Sequence, residues 1–123
     1  MNKNTNLLQK IFNHQLKHID AIFLYKKGIP IGYVFAPYIP DNPESFFNYN
    51  SKIEKIYKYL KDISTDKLYH YSVNVNNKKI YLFVYKVDDD TYIFVFSDSL
   101  DLELGEIIYR QVVKPIKDYV SPS

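Results

Sequence analysis

The chain has no cysteine and no tryptophan, only three glycines, and a single arginine among its 16 basic residues. Without cysteine there can be no disulfide and no thiolate metal site, and a reducing compartment is compatible with the chain. Gly28, Gly32 and Gly105 are too few and too scattered to form a glycine-rich phosphate loop. No Gly-x-Ser-x-Gly elbow occurs, so that route to an activated serine is missing. Basic and acidic residues nearly balance, 16 against 14, for a net charge of +2. A nucleic-acid-binding domain usually shows a concentrated basic stripe, and none is present. The opening stretch MNKNTNLLQKIF has no apolar signal core, and no apolar run is long enough to span a bilayer. A cytoplasmic protein without direct membrane insertion is the expectation.

Aromatic residues are abundant, at 17% of the chain with 13 tyrosines. Tyrosine can bury its ring while its hydroxyl stays wet, and it is enriched at interfaces. An AT-rich genome would also favour Tyr together with the Lys, Asn and Ile that are frequent here. Residues 1–123 are long enough for one core and read as a single domain.

Thr5 or Asn6 can cap a first helix over residues 5–19, with Leu8, Ile11, Phe12, Gln15, Leu16 and Ile19 on one side. The stretch AIFLYKKGIPIGYVFA then reads as two strands, Ala21–Tyr25 and Ile31–Ala36, around a turn at Gly28. Pro37, Pro40 and Pro43 interrupt regular structure, and Asn42 with Pro43 starts a second helix expected to run to about Ile63. Phe46, Ile53, Tyr57 and Leu60 form its central stripe, and Tyr49, Ile56 and Ile63 a flank beside it. Leu68–Asn76 alternates, with Tyr69, Tyr71, Val73 and Val75 facing one way and His70, Ser72 and Asn74 the other. Lys79–Val87 and Thr91–Ser97 are apolar on both faces. A last helix begins near Ser99 or Asp101 with Leu104, Ile107, Ile108 and Val112 inward, and Pro115 should end or kink it. Strands that are apolar on both faces need cover on both sides. The fold class is therefore α/β (α+β), a three-layer α/β/α sandwich around a five-stranded, mostly antiparallel sheet, in the order α-β-β-α-β-β-β-α. The one-sided Leu68–Asn76 belongs at its edge.

This order resembles the roadblock family (dynein light-chain roadblock, related to the longin fold) over residues 5–120. DAIFLYKKGIPIGYVF matches the family's apolar hairpin, and YIFVFSDSLDLELGEIIYR, with Leu104-Gly105, its passage from last strand to last helix. The aromatic load of Phe46-Phe47 and of the last two strands departs from that pattern, as does Pro115. The resemblance implies a non-enzymatic, dimeric adaptor or regulator without cofactor. Its third strand and second helix would join two copies, and the paired surface would bind a small Ras-like GTPase or a scaffold component. Carried onto this chain, a homodimer interface would use Tyr49, Ile56, Ile63, Tyr71, Val73 and Val75. An edge strand is open to such pairing, and a two-fold dimer would bury the helix flank, although that flank could equally pack on its own sheet. Lys52 and Tyr59, expected on the outer side of the second helix, are the candidate GTPase contacts.

Other chemistry reads as bland. His14 and His18 have a chelating i, i+4 spacing but no acidic residue that completes a metal set, so a solvated helix face accounts for them. Asp88-Asp89-Asp90 lacks the alternation, Gly and terminal Glu of a calcium loop and reads as a hairpin turn. Lys26-Lys27 and Lys78-Lys79 mark turn tips. The competing reading is a PAS- or profilin-like small-molecule sensor, which would need a cavity between sheet and helix; the bulk of Phe83, Phe94 and Phe96 argues for a filled core instead. A trafficking longin domain is a third reading, weakened by the helix that precedes the first strand.

Overall fold

The stretch TYIFVFS, Thr91–Ser97, is buried at every position. A computed structural model, which describes residues 3–12 and 16–120, shows why. The elements are α1 (Lys3–Phe12), β1 (Ile19–Lys26), β2 (Ile29–Phe35), α2 (Pro43–Tyr57), β3 (Leu68–Val75), β4 (Lys78–Lys86), β5 (Thr91–Ser97), α3 (Leu102–Ile108), a π-helical turn (Tyr109–Val113) and α4 (Lys114–Val120). The five strands form one sheet in the order β2-β1-β5-β4-β3, and all four ladders are antiparallel. Strand β5 lies at the centre with helices packed against both faces of the sheet, so neither of its faces reaches water.

Successive side chains of a strand point to opposite faces, and the two cores separate on that basis. Ile93 and Val95 of β5 join Leu24, Phe83 and Tyr85 beneath α1, α3 and α4, through Leu8, Ile108 and Ile116. Tyr92, Phe94 and Phe96 join Phe23, Tyr25 and Leu82 beneath α2, through Tyr49 and Ile53. A register shift between Ile19 and Ala21 lets both Ile19 and Ile22 face the first core. The second core is built of rings: Phe96 meets Tyr49 edge-on at 4.9 Å and Phe23 at 5.9 Å.

Several boundaries differ from the sequence expectation. Ile19 belongs to β1, not to a helix face, because an apolar residue next to a strand carries no period of its own. His18 has a positive φ of 69° and pairs through Nδ1 with Asp98 at 3.0 Å; His14, its expected helical neighbour, lies outside the described residues, as does Gln15. Helix α2 starts as expected, with the Asn42 side chain accepting from the Ser45 N–H at 2.8 Å and Pro43 in the first turn. It ends at Tyr57, not at Ile63, where tighter i→i−3 bonds take over: Leu60 N–H donates to Tyr57 O at 3.0 Å and Ile63 N–H to Leu60 O at 3.2 Å. That turn drives Leu60 into the core. Side chains hold its carbonyls as well: the buried Lys86 ammonium is 2.7 Å from Lys61 O, and the Tyr92 hydroxyl, as a second donor, is 3.2 Å from Leu60 O.

Pro115 neither ends nor sharply breaks the last helix. The helix widens ahead of it instead, with the Lys114 N–H reaching back five residues to Tyr109 O. The wider turn accommodates a ring that would crowd an α-helical carbonyl, and it buries both Val112 and Val113. At the near edge of the sheet, Gly32 of β2 lets α1 approach closely, since a Cβ there would stand 2.7 Å from Asn4 Cβ. The Asn4 amide also donates to Ile31 O at 3.3 Å.

Phe96→Ala should cost about 3–5 kcal/mol, the usual penalty for emptying a packed aromatic site. Phe47→Ala, at a side chain 69% exposed, should stay within about 0.5 kcal/mol. Urea unfolding of both variants checks the contrast. A second expectation concerns Asp20, which is only 5% exposed and accepts a hydrogen bond from the Tyr38 hydroxyl. Burial raises its pKa above the ordinary 3.8, with Asp98 adding to the rise and the Tyr38 hydrogen bond and Lys78 opposing it. A carboxyl raised in the folded state favours folding while protonated, and that contribution fades as pH climbs through the raised value. Asp20→Asn, which keeps an acceptor for Tyr38, should be more stable than wild type at neutral pH, with the gap closing below the ordinary carboxylate range. Stability measured against pH reads this directly.

Candidate interaction site

Strand β3 pairs with β4 on one side only, in the register Tyr71↔Leu82 and Val73↔Ile80. Its other side is the far edge of the sheet. The backbone N–H and C=O groups of an edge strand point away from the ladder and can pair with a further strand. No residue of Leu68–Val75 is a lysine, glutamate, aspartate or proline, the types that usually discourage such pairing. The polar side of the strand, with His70, Ser72 and Asn74, is exposed as expected.

The other side of β3 faces α2. Tyr69, Tyr71 and Val73 are half-buried against the second core, and Val75 is fully inside it at 4% exposure. Burial raises the Tyr71 pKa. The Tyr69 pKa is lowered instead, chiefly because its hydroxyl accepts from the Ser64 N–H at 3.1 Å. On the helix, Ile56 is half-buried, as is Ile63 in the turn beyond it. Between helix and strand runs a shallow groove of about 250 Å³, lined by Lys52, Lys55, Ile56, Ser72, Val73 and Asn74.

The candidate residues therefore separate into two groups. Ile56, Ile63, Tyr71 and Val73 lie together, half-covered, along α2 and the β3 edge. Tyr49 is 8% exposed and Val75 4%, so the chain's own core has already taken most of their surface. Tyr49 packs at 5.6 Å from the Phe35 ring, and burial pushes its hydroxyl pKa to about 12. Its helical phase with Ile56 suggested a common flank, but the helix crosses the sheet so that Tyr49 sits over β2 and β5. Lys52, expected on the outer side, instead forms one wall of the groove. Tyr59 is outside as expected, 67% exposed, with the Lys58 ammonium 5.1 Å above its ring. Lys55 was not singled out by sequence. The signal was available in its spacing, since Lys52, Lys55 and Ile56 share one side of a helix, but its value depends on β3 lying alongside, which only the topology supplies.

Some other ionisable groups are engaged in structural ties. Asp66 accepts from the Tyr85 hydroxyl at 2.7 Å and from Lys117 at 2.8 Å, which joins the segment after α2 to α4. Its pKa is lowered, first by the Lys117 hydrogen bond. Asn50, buried in α2, accepts from the Tyr25 hydroxyl and donates to Glu54 Oε1 at 2.8 Å. Among the described residues no group of three or more His, Asp or Glu converges as a metal site, and no helix is long and apolar enough to cross a membrane.

No family model matches the sequence, and no curated protein matches it at a significant level. In three dimensions the chain is similar to MglC from Myxococcus xanthus, a roadblock/longin-like protein, with a TM-score of 0.62 and 14% sequence identity over 93% of this chain and 96% of that one. At that identity the likeness concerns architecture: the five-stranded antiparallel sheet, its helices and their order make a roadblock-like fold.

Proposed function

We propose that this chain is a non-enzymatic adaptor or regulator that pairs through β3 and α2 and offers the paired surface to a small Ras-like GTPase or a scaffold protein. One observation carries the reading: an uncharged, open edge strand lies beside a half-buried apolar flank formed by Ile56, Ile63, Tyr71 and Val73. Such an arrangement favours strand addition with a helix alongside. The roadblock-like architecture shared with MglC supports an adaptor role. A non-enzymatic role fits the ties made by Asp66, Lys117 and Tyr85, and by His18 and Asp98, which hold loops and helices in place. A small-molecule sensor is less well supported, because Phe23, Tyr25, Phe94, Phe96 and Ile53 fill the space between the sheet and α2.

A pairing interface of standard size buries roughly 1,600 Å² in total. Ile56→Glu places a carboxylate on the flank, where burial without a partner costs several kcal/mol. The expected product is a folded monomer by light scattering and circular dichroism, at concentrations where wild type is paired. Unfolded protein would mean that Ile56 is core, and an undiminished pair would place the seam elsewhere.

The partner reading is tested by calorimetry of the wild-type chain against small GTPases from the native host, each loaded with GDP or a GTP analogue. Binding to at least one is expected, weakened by Tyr59→Ala by about 1–2 kcal/mol if the ring anchors the contact. If none binds and a small metabolite raises the melting temperature instead, the sensor reading replaces this one.

A further inference from the structure

We propose that the hollow between β2 and the start of α2 receives an arginine side chain presented by a partner protein. The hollow measures about 410 Å³ and is lined by Tyr33, Asp41, Asn42, Pro43 and Phe46. Strand β2 is the edge of the sheet opposite to β3, so pairing through β3 leaves the hollow open. The inference thus goes beyond the pairing reading and does not depend on it. The walls are rings: Tyr33 and Phe46 are half-buried, with centroids 4.9 Å apart and planes tilted by 58°. Phe46 is braced from behind by the Phe23 ring at 5.8 Å. Among the described residues neither wall lies under an ammonium group of this chain, although Tyr59, Tyr69, Tyr81, Tyr85 and Tyr92 each have a lysine over the ring.

Asp41 sets the sign of the charge. It is exposed, and among the described residues neither it nor Glu44, in the first turn of α2, has an ion-pair partner. The segment that carries Asp41 is held in place without a ligand. The Tyr38 hydroxyl donates to Asp20, the Ile39 N–H to Ala36 O at 2.9 Å and the Asn42 N–H to Pro40 O at 3.1 Å. Pro37, Pro40 and Pro43 restrict its backbone further. A wall fixed in advance lowers the ordering cost of binding. A helix start ordinarily favours anions, but the donors that would hold one are missing or spent here. Pro43 has no N–H, the Ser45 N–H donates to the Asn42 side chain at 2.8 Å, and the Phe46 N–H donates to Asn42 O at 3.0 Å. Two rings beside a carboxylate match a guanidinium, which stacks on an aromatic face while its N–H groups meet the carboxylate. A lysine ammonium satisfies the charge but lacks the flat face.

The test titrates the isotope-labelled full chain with short capped peptides, Gly-Ser-X-Ser-Gly, in which X is arginine, lysine, glutamate or citrulline, the uncharged isostere of arginine. Nuclear magnetic resonance reports both affinity and place. The arginine peptide should shift the resonances of Tyr33, Asp41 and Phe46, and bind about tenfold more tightly than the citrulline peptide, with a gap that narrows as salt rises. The lysine peptide should fall between them. Asp41→Asn, a surface change whose fold is checked by circular dichroism, should bring arginine and citrulline together. Tyr33→Leu should weaken the arginine peptide severalfold; should that variant fail to fold, Asp41→Asn decides alone. Equal binding of arginine and citrulline, an arginine preference that survives Asp41→Asn, or shifts confined to another face overturns the proposal. Equal binding of lysine and arginine makes the hollow a general cation site, and the arginine assignment falls. Preferential binding of the glutamate peptide at the same resonances makes it an anion site and overturns the proposal outright.

Discussion

Burial of the central strands on both faces constrains everything else in this molecule. Phe94 and Phe96 point toward α2, while Ile93 and Val95 point toward α1, α3 and α4. A strand in that position needs a neighbour on each side and a helical layer above and below. β1 and β4 supply the neighbours, and the helices divide unequally: one covers the ring-rich face, and the others share the aliphatic face. The unequal division has a spatial result. A single helix cannot cover five strands, so the α2 layer leaves the last strand only half-covered. The candidate interaction site is that shortfall in cover.

Much of this architecture could be read from the chain. The doubly apolar stretches of β1, β2, β4 and β5 demanded an interior sheet, and the clean alternation of Tyr69, Tyr71, Val73 and Val75 against His70, Ser72 and Asn74 demanded an edge; β2 proves instead to be the opposite edge, mostly half-buried. What failed was phase and extent. Ile19 and Ile63 were assigned to helices because an apolar residue next to a helical pattern fits its period by chance about as easily as by design. The structure places Ile19 in a strand and Ile63 in a tight turn held partly by the Lys86 ammonium, 23 residues away in sequence. A long-range hydrogen bond of this kind leaves no local trace.

The candidate site shows the same limit more sharply. Helical spacing placed Tyr49, Ile56 and Ile63 on one flank, and that much was sound as geometry. Whether a flank faces a partner or its own sheet depends on the angle at which the helix crosses the strands, which spacing does not encode. Tyr49 falls over β2 and β5 and is consumed by the core, whereas Ile56, less than two turns later, reaches the edge. Lys52 moves for the same reason, from an outer surface to the wall of a groove. Composition was the least informative guide. The tyrosines that suggested a binding surface are largely structural: Tyr25, Tyr85 and Tyr92 are buried and donate hydroxyl hydrogen bonds to Asn50, Asp66 and Leu60.

The widened turn at Tyr109–Val113 gives the last helix the character of a splice. An α-helix advances about 100° per residue, so one extra residue in a turn rotates everything beyond it by about that angle relative to an uninterrupted helix. Leu104 and Ile108 follow one phase, Val113 and Ile116 another, and Val112 serves the seam between them. Two short amphipathic patterns, each unremarkable alone, are thereby aligned on a single face of the sheet. The helix thus gains a permitted point for a length change: loss of one residue there would merge the two phases, while loss anywhere else would turn an apolar stripe toward water.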